Sequence, residues 1–174
     1  MQPRDAVGEE RRGLVLVIED DRSTRELLAA VLAEERLDCH LSSNGHEAME
    51  YARGHTPDVV VLDMHLPNLQ GEAVATALRI ELGQGLPILA MSASNERAAA
   101  SRFDAYAYIP KPFEIDDFVA RVREGLELSG QARLLRERTI AARRRLEQSL
   151  ARQRRSFDQA RSQDGSPPGA ATGS

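Results

Sequence analysis

Glu19, Asp20 and Asp21 stand together after one apolar run, Asp63 follows a second, Ser92 a third, and Lys111 a fourth. Brought to one place, they would put carboxylates, a hydroxyl and an ammonium within reach of one another. Unpaired carboxylates a few Å apart repel and raise one another's pKa. A hard divalent cation resolves that conflict, and Mg2+ characteristically takes one or two carboxylates, several waters and a phosphate. A serine and a lysine beside it suit phosphoryl oxygens, by hydrogen bond and by charge. The chemistry indicated is phosphoryl transfer to a carboxylate through an aspartyl-phosphate intermediate. Singly, each residue has a plainer explanation: an Asp after a strand commonly caps a helix or forms a turn. Lys111, however, is the single Lys beside 22 Arg, and the two cations are not interchangeable at a point-charge site.

Convergence requires a scaffold that carries all four runs to one edge. Short β-rich runs at 14–18, 37–41, 58–62, 87–91 and 105–109 alternate with helical patterns at 22–36, 44–53, 71–82, 95–102 and 114–128. The first, third and fourth runs (LVLVI, DVVVL, PILAM) are almost continuously apolar, as strands buried on both faces of a parallel sheet are. In 22–36, Leu27, Leu28, Val31 and Leu32 recur at helical spacing behind Asp21 and Ser23 as caps. Five strands alternating with helices predict an α/β fold, a five-stranded parallel sheet doubly wound by right-handed crossovers. Such sheets bind ligands beyond the carboxyl ends of their strands, where Glu19, Asp20, Asp63, Ser92 and Lys111 fall.

Composition narrows the classes. The 174 residues include one Cys, which excludes an intramolecular disulfide framework and a multi-cysteine zinc site. No apolar run is long enough to span a bilayer, and the charged start MQPRDAVGEERRG does not read as a signal peptide. A cytoplasmic protein is expected. His40, His46, His55 and His65 lack metal-ligand spacing; His46 and Glu50 read as a surface pair at i,i+4, and Cys39 as a small core hydrophobe. The net charge of −4 conceals an acidic body and a basic end: residues 129–174 carry 10 Arg against four acids.

LVIEDDRSTRELL, DMHLPNLQG, ILAMSAS and YIPKPF, in that order and at near-usual spacing, resemble the receiver (CheY-like) domain of two-component response regulators, over about residues 13–128. The resemblance implies a flavodoxin-like fold in which Asp63 accepts a phosphoryl group from a histidine kinase or phosphotransfer protein. It also implies that Asp20, Asp63 and the backbone carbonyl of His65 bind Mg2+, with Glu19 acting through water. Ser92 becomes the switch hydroxyl, Tyr108 the aromatic that moves with it, and Lys111 the partner of the phosphoryl group. The Lys111–Pro112 bond is expected to be cis, and Pro67 and Gly71 fit the loop after the phosphoacceptor. Glu19 stands where Asp is commoner. Ser92 to Lys111 is shorter than usual by about one helical turn, roughly three or four residues, so the helix at 95–102 should be short or reoriented. Asp104 replaces the usual helix-ending Gly. The protein so read is a signal receiver rather than a metabolic enzyme. Alternatives are a phosphorylation-independent scaffold on the same fold, or an Mg2+-dependent phosphatase, which usually carries a second Asp where His65 stands.

The organisation expected is a flexible N-terminus at 1–12, the receiver at 13–128, an Arg-rich helical extension at 129–162 and a disordered tail at 163–174. Residues 129–162 contain no Pro and one Gly, which favours a long helix. A heptad frame through Leu128, Ala132, Leu135, Thr139, Ala142, Leu146, Ser149 and Gln153 begins apolar and fades. Four readings stand: a solvated helix, a homodimer formed through 129–162, nonspecific nucleic-acid contact without a recognition motif, or docking of the basic helix on the acidic body, in cis or in a partner.

Overall fold

The computed structural model describes residues 12–67, 69–93 and 104–163. The readings for 95–102 and for both termini therefore lie outside the described residues, save for Arg12 and Gln163. Strands β1 (Leu14–Ile18), β2 (Asp38–Ser42), β3 (Val59–Asp63), β4 (Ile88–Ser92) and β5 (Ala107–Pro110) form one parallel sheet in the order β2-β1-β3-β4-β5. Helices α1 (Arg22–Glu34), α2 (Gly45–Ala52), α3 (Gly71–Leu82) and α4 (Ile115–Gln163) complete the described elements.

Alternation along the central strands divides the core into two layers. Leu16, Ile18, Val60, Leu62, Ile88 and Ala90 pack with Ala48 of α2 and Val74, Ala75 and Leu78 of α3. Val15, Val17, Val61, Leu89 and Met91 face the other way, against Leu28, Val31 and Leu32 of α1 and Phe118 and Val122 of α4. Every residue of β3 and β4 is buried, which is why those runs carry no polar alternation. The expected five-stranded doubly wound sheet is present. Strand order reverses beside β1, with β2 on one side and β3 on the other, and β1 and β3 end side by side at the switch point.

Two elements depart from expectation. The helices expected at 114–128 and 129–162 are one unbroken helix, α4, of 49 residues; Gly130 costs about 1 kcal/mol against Ala without interrupting it. The chain divides into compact units after Ala132. In the second unit, the side chains described from Arg133 to Arg155 are exposed. Asp104 meets its Gly-like position by adopting the left-handed conformation, φ 58, which Asp tolerates better than most residues. Its carbonyl accepts a hydrogen bond from the Arg79 guanidinium at 2.5 Å.

Candidate functional site at the carboxyl edge of the sheet

Each predicted side chain reaches the edge through a strand end. β1 runs into Glu19, which is fully buried, and β3 ends on Asp63, which is 4% exposed. The Glu19 N–H donates to the Ser42 carbonyl at 3.1 Å, continuing the ladder by one residue. Asp20 is exposed, and carboxylate oxygens of Glu19, Asp20 and Asp63 all lie within 4.8 Å of one another. Asp21 leaves this group. Its carboxylate caps α1, accepting from the Thr24 N–H at 2.8 Å and the Thr24 hydroxyl at 2.7 Å, and those bonds hold its pKa below the ordinary value.

Lys111 arrives from the segment after β5, across the cis Lys111–Pro112 bond. Its N–H donates to the Ser92 carbonyl at 2.7 Å, and its Nζ donates to Asp63 Oδ2 and Glu19 Oε2, both at 2.6 Å. Burial pushes the Glu19 carboxyl up, the Lys111 hydrogen bond opposes this, and the neighbouring Asp63 charge adds to the rise. Burial works against the Lys111 ammonium, but the hydrogen bonds and charges of Asp63 and Glu19 outweigh it, and its pKa is raised. The second oxygens are also held: the Asp21 N–H donates to Glu19 Oε1 at 3.1 Å and the His65 N–H to Asp63 Oδ1 at 2.8 Å.

Of these four side chains, three are carboxylates and one is an ammonium, leaving two negative charges in a partly desolvated nook. That donor set fits a hard divalent cation, which prefers oxygen ligands.

Ser92, fully buried at the end of β4, has its Oγ 3.3 Å from His65 Nδ1 in a hydrogen bond. Tyr108 on β5, in register with Ala90, is half-buried against the layer beneath α2 and α3. Gly71 begins α3 where a Cβ would lie 2.8 Å from Met64 Cα, so the loop after Asp63 closes only around a residue without a side chain. His65, expected to offer its carbonyl, also engages Asp63 by its N–H and Ser92 by its ring. One contribution escaped the sequence reading. Arg25 reaches back from α1 to the Glu19 carbonyl at 2.5 Å and the Asp20 carbonyl at 3.1 Å. Its only signal was its place, one turn into the helix behind the acidic residues.

Elsewhere, His46 and Glu50 form the expected exposed pair at 4.0 Å, and Cys39 is half-buried against the α1 side of the core. Among the described residues, no helix is long and apolar enough to cross a membrane.

Comparison with known proteins matches residues 15–123 to the response regulator receiver domain family. Response regulator MprA of Mycolicibacterium vanbaalenii is 38% identical over 112 residues, 63% of this chain and 48% of that protein. The DNA-binding transcriptional regulator NtrC of Escherichia coli K12 is 36% identical over 119 residues, 67% of this chain and 25% of NtrC. The chain thus spans about half, or less, of these curated relatives. Among solved structures, a Francisella response regulator receiver domain superposes with a TM-score of 0.62 at 25% identity, covering 67% of this chain and 98% of that one. NtrX of Brucella abortus gives 0.65 at 26% identity, over 70% and 28%.

Proposed function

We propose, from the premise that this chain belongs to the response regulator receiver family, that Asp63 takes a phosphoryl group from a phosphohistidine of a histidine kinase or phosphotransfer protein. The observation that carries this reading is the Lys111 ammonium, 2.6 Å from both Asp63 and Glu19. It is a point charge held on the acceptor carboxylate and within reach of a phosphoryl oxygen added there. An Asp63 oxygen forms the new O–P bond as the donor's N–P bond breaks, its electron pair returning to the imidazole. Glu19, Asp20, Asp63 and the His65 carbonyl would hold Mg2+, which when bound neutralises the carboxylates and the phosphoryl oxygens.

This chain's own residues do the rest. The His65 N–H fixes one Asp63 oxygen and thereby orients the carboxylate. The Ser92 hydroxyl gives up His65 to donate to a phosphoryl oxygen, and Lys111 shifts its bond from Asp63 to the same group. Contacts made only in the phosphorylated state bias the conformational equilibrium, and Tyr108, on the strand paired with β4, moves with Ser92 in this reading. The output goes to a partner protein or through the helical extension at 129–162, appended to the receiver at 13–128. The only chemistry expected is the domain's own phosphorylation and dephosphorylation.

Incubation with acetyl phosphate and Mg2+ should label one residue per chain with an alkali-labile phosphoryl group, detected by intact mass. Asp63→Asn should lower labelling by at least about 100-fold, a difference of about 2.7 kcal/mol. An acid-stable phosphoamino acid, or equal labelling of Asp63→Asn, overturns the proposal.

A further inference from the structure

The second compact unit carries its charge in a pattern that the receiver chemistry does not use. Between Arg133 and Arg155, α4 exposes a stripe of Leu135, Thr139, Ala142 and Leu146 at alternating spacings of four, three and four, the spacing of a coiled-coil seam. Leu135 is 67% and Leu146 61% exposed. The Thr139 hydroxyl donates to the Leu135 carbonyl at 2.9 Å, so its hydrogen-bonding need is met within the helix. Thr139 and Ala142 between the leucines are small enough for a second helix to approach.

The flanks are uniform in sign. In that frame the positions beside the seam are Arg136, Arg138, Arg143 and Arg145, while the acids Glu137 and Glu147 fall on the outer faces. Arg143 pairs outward with Glu147 at 3.0 Å. Leu134 and Ile140 lie off the seam among the arginines. A second copy would set Arg138 against Arg143 in a parallel pair, or Arg138 against Arg145 and Arg136 against Arg143 in an antiparallel one. Flanking charges of one sign oppose self-pairing and select an opposite partner. Nucleic acid would satisfy the arginines but leave the leucines unused.

We infer that Leu135, Thr139, Ala142 and Leu146, with their flanking arginines, form a docking face for an acidic amphipathic helix of another protein, one with apolar seam residues and carboxylates beside them. The inference is independent of phosphorylation.

The probes are two synthetic helical peptides of about three heptads, both with leucine in the seam, one flanked by glutamate and the other by lysine. Their binding to the full chain is read by fluorescence anisotropy. The glutamate peptide should bind at least about tenfold more tightly. A double variant, L135Q with L146Q, should weaken it about tenfold, and R136E with R138E and R145E should invert the preference. These side chains are exposed, and far-UV circular dichroism with unchanged acetyl phosphate labelling verifies that each variant folds. Three results would each defeat the inference: unchanged peptide affinity in the leucine variant, self-association of the chain that the leucine variant abolishes, or preference for a random DNA duplex over the glutamate peptide.

Discussion

Lys111 and Arg143 are both cations held by carboxylates at hydrogen-bond distance, 2.6 Å for Lys111 on Glu19 and Asp63 and 3.0 Å for Arg143 on Glu147. Their surroundings differ. The side chains in the first group are 22%, 0% and 6% exposed, those in the second 80% and 61%. Contact geometry is almost the same; the water left to each charge is not. At the sheet edge solvation has been given up, so each partner depends on the others. On the helix, water and salt substitute for either partner, and the charges matter for what they attract rather than for what they hold up.

Removing the half-buried cation should therefore produce the largest stability change. Lys111→Met leaves Glu19 and Asp63 facing each other with little solvent and should lower stability by about 3 kcal/mol at neutral pH, measured by urea denaturation. The loss should shrink in acid, where a carboxylate already pushed upward can take a proton. A loss that does not vary with pH would break the account of the nook.

A smaller effect belongs to Tyr106, whose hydroxyl donates to the Arg121 carbonyl at 2.6 Å. Burial, aided by the Glu124 charge, pushes its phenol well above the usual tyrosine value. Because the unfolded phenol ionises near pH 10 and the folded one later, its contribution is complete below about pH 10 and declines as pH rises beyond it. Tyr106→Phe should cost about 1 kcal/mol at neutral pH and flatten the alkaline decline in denaturation midpoint. A slope identical to the parent's would mean that Lys111, also raised and also lost in alkali, accounts for all of it.

The smallest change is expected on the helix. Arg143→Ala should alter unfolding free energy by about 0.5 kcal/mol or less, and that difference should vanish at molar salt. A cost equal to that of Lys111→Met would erase the distinction between the two regions.

Much of the sheet and its edge was legible because burial on both faces writes itself into unbroken apolar runs, as in Val59–Leu62, and because the polar residue that ends such a run must lie at the rim. Asp63, Ser92 and Lys111 were found in that way. Asp21 was legible as a helix cap from its place just ahead of α1, and its carboxylate turns to Thr24 while that of Asp20 stays within reach of the nook. The Arg25 clamp was hidden because an arginine on a helical wheel reads the same whether it meets water or a carbonyl. The continuity of α4 had its signals, no Pro and one Gly, but the change in charge at residue 129 suggested a joint. Charge sets what a helix meets, whereas backbone propensity sets where it stops.

Arg25 grips the main chain of Glu19 and Asp20 and leaves their carboxylates alone. A neighbour less than two turns away along the polypeptide thus holds two peptide oxygens of the acidic strand-to-helix turn without engaging its carboxylates. In the proposed reading, adjustment when the site is loaded falls to the lysine and serine side, across the rim from that grip.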